Sequence, residues 1–290
     1  MGITCRNVDS EVAKKLDNFF PIPNCFIEVS PGPVLLPKKY ADIGESIMDL
    51  TIFEDDVWII SYPRTGMFLI SPIFFIDLHG NSMGNSVDWV KNMPRPRYAR
   101  SHLPLQLLPE QLEKVKPKII YTARNPKDLC VSFYHYCQLV HGLCGPFEQF
   151  CEMFIAEKSL VCSYWSHVLP FWKKRNEPNI LFLKYEDMKR NLPSVIKKCA
   201  NFLNIDYELS PEQMDKICDH LKFDKMQSNP AVNLDPVINS NNKTSNNNVK
   251  FIRKGQIGDW KNHLSPELSD KIDQWTRKNT AGTGLEFEYE

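Results

Sequence analysis

The chain has 290 residues and 42% apolar content, enough to bury a full core as one large domain or two small ones. Its 35 basic and 35 acidic residues cancel, so no global charge argues for nucleic acid or an anionic membrane, and any anion site must be local. No signal-peptide pattern opens the sequence, Arg6 stands where a myristoylation signal needs Ser or Thr, and the apolar run from Met67 to Leu78 is too short for a bilayer, so a cytoplasmic protein is expected.

Residues 1–45 are rich in turn chemistry ("PIPNC", "SPGPVLLP") and read as an irregular N-terminal segment. "DVWIISYP" then reads as a strand running into a turn at 62–66 that has the outline of a phosphate loop: basic Arg64, hydroxyl Thr65 and Gly66. Small polar residues normally follow such a loop, because backbone N–H groups must be free to face the anion. Here Met67, Phe68 and Leu69 follow. Further on, "RYARSHLPLQLLP" (97–109) places His102 after Arg97, Arg100 and Ser101.

"KPKIIYTAR" (116–124) is a second strand, and Asn125-Pro126 after it is a helix start leading into "NPKDLCVSFYHYC". Cys130, Cys137, Cys144 and Cys151 recur at sevenfold spacing, but Gly142, Gly145 and Pro146 interrupt any single helix carrying them. With nine cysteines and no C-x-x-C pair, neither a disulfide framework nor a zinc site is suggested; reduced, mostly buried thiols are expected. Trp165 and Trp172 read as core. "NILFLKYED" (179–187) precedes another helical stretch with Pro near its first turn. The Asn-rich tract within 234–250 reads as a loop, in which the sequon at Asn242 carries no meaning for a cytosolic chain. Arg253, Lys254 and Gly255 follow in "FIRKGQIGDW". The last helix has Ser265 as N-cap, Pro266 at its first position, and Leu268, Ile272 and Trp275 on one face.

Continuous apolar strands alternating with helices predict an α/β fold, a doubly wound parallel sheet flanked by helices, with residues 1–290 forming a single domain. In such sheets ligands bind beyond the C-terminal strand ends. Those ends here carry Arg64, Arg124 and Tyr185. Two arginine clusters and a Gly-containing turn suit a ligand with more than one phosphate, since guanidinium binds phosphate as a fork.

In "YPRTGMFL", "RSHLP", "ARNPKDLCVSFYHY", "LFLKYEDM", "FDKMQSNPAVN" and "FIRKGQIGDWKNH", in that order over nearly the whole chain, the sequence resembles the cytosolic sulfotransferases. That family moves a sulfuryl group from 3′-phosphoadenosine 5′-phosphosulfate (PAPS) to a hydroxyl or amine, on a fold similar to the P-loop kinases and without a metal. The resemblance implies that Arg124 and Ser132 hold the 3′-phosphate, with Arg253, Lys254 and Gly255 closing over it. It also implies that Tyr185 contacts the adenine side, with Phe223 and Met226 near the base. His102 would be the general base, Arg64 and Arg100 would stand where the family has lysines near the transferring group, and Arg64, Thr65 and Gly66 would form the 5′-phosphosulfate loop. The product would be adenosine 3′,5′-bisphosphate (PAP), and the acceptor a small phenol, alcohol or amine.

Plainer readings stand beside these. A lone histidine is more often a surface or capped residue, Tyr185 can be a core tyrosine, and Phe223 and Met226 at i, i+3 are more often packing. The chain also departs from the family. Met67, Phe68 and Leu69 replace two threonines and a tryptophan, Pro72 falls in the next turn, Lys222 stands for a serine, and the span to His102 is short by several turns. The dimer motif is eroded at Lys261, Ser265-Pro266 and Asp270, which leaves a homodimer without support. Two readings follow: a working PAPS-dependent enzyme, or a catalytically impaired member that binds PAP or a small apolar ligand. A P-loop NTPase is disfavoured because G-x-x-x-x-G-K-[ST] is absent.

Overall fold

The computed structural model describes residues 2–20, 25–67, 86–161, 163–206, 208–236, 238 and 250–290. Phe68, Leu69, Pro72 and most of the Asn-rich loop lie outside the described residues. A parallel sheet forms the centre, in the order β5 (Tyr98–Ser101), β4 (Val57–Ser61), β6 (Lys118–Ala123), β7 (Ile180–Lys184). All five residues of β4 are buried, which is why "VWII" reads as an unbroken apolar run rather than an alternating pattern. The expected parallel α/β sheet is thus present, with β4 at the point where successive strands depart to opposite sides.

The register levels the strand ends. Ile60 pairs with Ser101, Ser61 with Thr122, and Ala123 with Lys184. The segments that follow, at 62–67, 102, 124 and 185, therefore emerge along one edge of the sheet, where a doubly wound fold places its ligand.

The first 45 residues are not irregular. They form β1 (Thr4–Asn7), α1 (Ser10–Phe19), β2 (Phe26–Ser30), β3 (Val34–Pro37) and the start of α2 (Tyr40–Met48), with the three strands in an antiparallel sheet ordered β1-β2-β3. Of the turn residues that suggested irregularity, Gly32, at φ 77°, sits between β2 and β3. Val29, Val34 and Leu36 from this sheet are buried with the main core.

Three further helices start as their sequences imply. Asn125 caps α5 (Pro126–His141), accepting from the Asp128 N–H at 2.8 Å, and Gly142 ends it in the left-handed region. Pro146 then starts α6 (Phe147–Ile155), so the cysteine spacing is split between two helices. Ser265 caps α12 (Pro266–Thr280), whose Leu268, Ile272 and Trp275 are buried. The described cysteines are all free thiols.

Candidate active site

The ring of His102 is set by the strand beside it. Its Nδ1 lies 2.8 Å from the Ser61 carbonyl and 3.3 Å from Ser61 Oγ. A carbonyl only accepts, so in the neutral ring Nδ1 carries the proton and the lone pair resides on Nε2. His102 lines a mainly apolar cleft with Pro37, Phe133, Tyr136, His141 and Leu160, whose free volume of about 10 Å³ admits roughly one water. Pro37 comes from the N-terminal sheet, so that sheet walls the histidine.

The turn at 62–67 departs from a plain phosphate loop. Thr65 is fully buried, and its hydroxyl donates to the Tyr62 carbonyl at 3.0 Å and meets Thr122 Oγ1 at 2.9 Å. It is turned into the sheet, leaving only its backbone to face a ligand. Met67, 2% exposed, packs with Ile59, Ile120, Leu183, Tyr185 and Met188. Gly66 (φ 92°) is required: a Cβ there would come within 2.5 Å of Tyr185 Cδ2.

Arg64 itself lies at φ 74°, in the left-handed region, and its side chain crosses to α5 and the C-terminal strap. Its Nε donates to Ser132 Oγ at 3.1 Å and its Nη2 to the Phe251 carbonyl at 2.7 Å, with the guanidinium over the Phe251 and Tyr136 rings. Burial, with Arg124 and Arg253 nearby, pushes it down to about 10 despite the opposing pull of Tyr136. Burial likewise pushes Arg100 down to about 10.

Arg124 donates through Nη2 to the Gln256 carbonyl at 3.0 Å, and its guanidinium lies 4.3 Å from the Tyr185 ring centroid. Its buried Nε has no hydrogen-bond partner among the described residues. The strap carries Arg253 and Lys254, both bonded to the Asp259 carboxylate, Lys254 at 2.7 Å. Burial alone would raise the Asp259 carboxyl, but hydrogen bonds from Lys254, Arg253 and Asn262 carry it well below the usual carboxylate range. Gly255 (φ 62°) sits against Phe223, where a Cβ would meet Cδ2 at 2.7 Å. Gln227, on the same helix α11 (Phe223–Ser228), donates to the Ile252 carbonyl at 2.8 Å, so Phe223 and half-buried Met226 are tied to the strap. Arg64, Ser132, Arg124 and the strap are thus brought together, with Tyr185 and Gly66 beneath them.

Residues 74–284 match the sulfotransferase domain family. A luciferin sulfotransferase from Photinus pyralis is 40% identical over 97% of this chain and 88% of its own length, and an amine sulfotransferase from Oryctolagus cuniculus is 33% identical over 84% and 87%. The chain belongs to the sulfotransferase family. The first of these alignments runs over 329 positions, more than this sulfotransferase has residues, so the relative carries positions this chain lacks. A retinol dehydratase structure with retinol and PAP superposes with a TM-score of 0.87 over 99% of both chains at 24% identity. Mouse sulfotransferase SULT7A1 complexed with PAP gives 0.71 at 26% identity, over 87% of this chain and 93% of its own.

Other residues of this sulfotransferase support the site without having stood out in sequence. Asp128 accepts the Gly258 N–H at 2.8 Å and the Trp260 N–H at 3.0 Å, fastening the strap to α5. The capping pattern Asn125-x-x-Asp128 could have drawn attention to it. Buried Glu186 accepts the Asn125 N–H at 2.7 Å, and Tyr164 donates to the Arg124 carbonyl. Lys261 of the eroded dimer motif is paired with Glu290 at 2.6 Å. Among the described residues there is no helix long and apolar enough to cross a membrane and no cluster of His, Cys, Asp and Glu suited to a metal ion.

Proposed function

We propose that this sulfotransferase moves a sulfuryl group from PAPS to a hydroxyl or amine of a small, largely apolar acceptor, with His102 as general base. The observation that carries this reading is the Ser61 carbonyl on His102 Nδ1, which puts the proton-accepting lone pair on Nε2. PAPS supplies an activated sulfuryl group bonded to a phosphate leaving group. His102 takes the acceptor's proton at Nε2 as the acceptor oxygen or nitrogen bonds to sulfur, and the sulfur–bridging-oxygen bond breaks with its electron pair going to PAP. Arg124, Ser132, Arg253, Lys254 and Gly255 hold the 3′-phosphate; the unpartnered Arg124 Nε fits an anion there. Arg100 is the cation assigned to the leaving-group end, and the backbone of Thr65 and Gly66 faces the 5′-phosphate. Tyr185, Phe223 and Met226 border the adenine. The reading requires no metal, and it places the enzyme in the cytoplasm.

The apolar and aromatic lining beside His102 favours phenols, aryl or alkyl alcohols and amines, in keeping with relatives named for luciferin and amines. A panel of such acceptors with PAPS tests the reading. His102→Ala should cut transfer ~10²–10⁴-fold while leaving PAP affinity nearly unchanged. Transfer that survives the substitution overturns the assignment of His102. The burial of Met67, where the family presents a hydroxyl, favours a second reading in which PAP binds but transfer is impaired. PAP binding heat without turnover on any acceptor would support that reading instead.

A further inference from the structure

Arg64 occupies the loop position that the family gives to a cation at the transferring sulfate, yet its guanidinium reaches elsewhere. Both of its hydrogen bonds run to the far side of the site: Ser132 Oγ on α5 at 3.1 Å and the Phe251 carbonyl on the strap at 2.7 Å. Its left-handed backbone directs it there, and the Phe251 and Tyr136 rings flank it at 4.9 and 5.6 Å. Arg124 approaches the same turn from the other side, its Nη1 3.5 Å from the Arg64 carbonyl. Two guanidiniums therefore converge on this turn, that of Arg64 bonded to Ser132 Oγ and that of Arg124 reaching the Arg64 carbonyl, with Arg253 near enough to act on Arg64 and its own charge shared with Asp259. A bridging dianion would relieve the repulsion among these cations.

We infer that Arg64 is a ligand of the 3′-phosphate, so that this chain has moved one cation from the sulfate end of its donor site to the opposite end. The inference rests on the PAP-binding reading above and deepens it. Arg64 becomes a specificity determinant: it favours a 3′,5′-bisphosphate over a 5′-monophosphate, and it leaves Arg100 as the loop-side cation near the transferring group.

Calorimetric titration with PAP and with adenosine 5′-monophosphate separates the two ends, because these ligands differ only in the 3′-phosphate. The unaltered protein tests the parent reading first: without PAP binding, that reading fails by itself. Where PAP binds, Arg64→Gln, which keeps a donor for the Phe251 carbonyl, and Arg64→Lys should each reduce the PAP-over-monophosphate preference, Gln tenfold or more and Lys less, with monophosphate affinity nearly unchanged. Equal weakening of both ligands would place Arg64 at the 5′ end and overturn the inference. So would an unchanged preference, or a rise in preference, which would mean that Arg64 competes with phosphate for Ser132. Circular dichroism of both variants identifies loss of folding, and the Lys variant keeps the test open should the Gln variant unfold.

Discussion

His167 Nε2 donates to the backbone carbonyl of His102 at 3.1 Å, while its Nδ1 meets the Tyr121 hydroxyl at 2.7 Å. The ring is fully buried, so this chain of bonds from β6 through α7 (Tyr164–Lys173) fixes the backbone of the proposed base from beneath. His167→Phe keeps an aromatic ring but removes the donor to the His102 carbonyl. The expected result is a fall in kcat of roughly tenfold, from ~1–3 kcal/mol of lost positioning, with PAP affinity preserved. His167→Gln, which retains a donor, should recover most of it; steady-state kinetics on both variants check this.

The same burial makes stability depend on pH. His167 is pushed down to about 4 because its surroundings disfavour the charged ring. Its folded value is below the ordinary value of about 6.5, so the unfolded chain binds the proton more readily. The neutral ring's contribution is therefore full above about pH 6.5 and lost as pH falls toward 4, an effect of at most about 3 kcal/mol. Urea midpoints at pH 7 and pH 4.5 should differ less in His167→Gln than in the unaltered chain.

Asp128 holds the strap through two backbone N–H groups, those of Gly258 and Trp260. Asp128→Asn keeps the size but turns one acceptor into a donor facing another donor, at a cost of ~1.5–3 kcal/mol. PAP should bind about tenfold or more weakly, and amide exchange over residues 253–260 should quicken. Wild-type exchange in that strap alongside weakened PAP binding would show that Asp128 acts otherwise.

Restoring the family's threonine next to Gly66 should not restore an anion contact. Met67 fills an apolar cluster, and Met67→Thr both leaves space and buries a hydroxyl there. A loss of ~2–4 kcal/mol is expected, read from the denaturation midpoint, without tighter binding of PAPS. Tighter binding would mean that residue 67 turns toward the ligand.

Several parts of the molecule were legible from residues alone because the signals are local. "VWII", "IIY" and "ILFL" are short apolar runs, fully buried in the two central strands and partly so in β7 at the sheet edge, and Asn125-Pro126 and Ser265-Pro266 start helices through contacts within one turn. The order of motifs along the chain likewise pointed to the family that the comparisons then established. The strand Tyr98–Ser101 did not stand out, because half its residues are polar and its strand character comes from pairing with β4. The N-terminal sheet was hidden for a related reason: the Pro31-Gly32-Pro33 turn marks one of its joints, but antiparallel pairing joins segments far apart, Thr4 to Ser30.

The destinations of the side chains in the candidate site were decided by packing at long range. Nothing in "YPRTG" states that Thr65 bonds inward to Thr122, or that Arg64 turns to a carbonyl 187 residues away. Backbone preference acts over a few residues and sets the turn. Where a charged side chain finds its partners depends on which distant strands and helices close around it, and that is settled only when the sheet edge, α5 and the strap are assembled together.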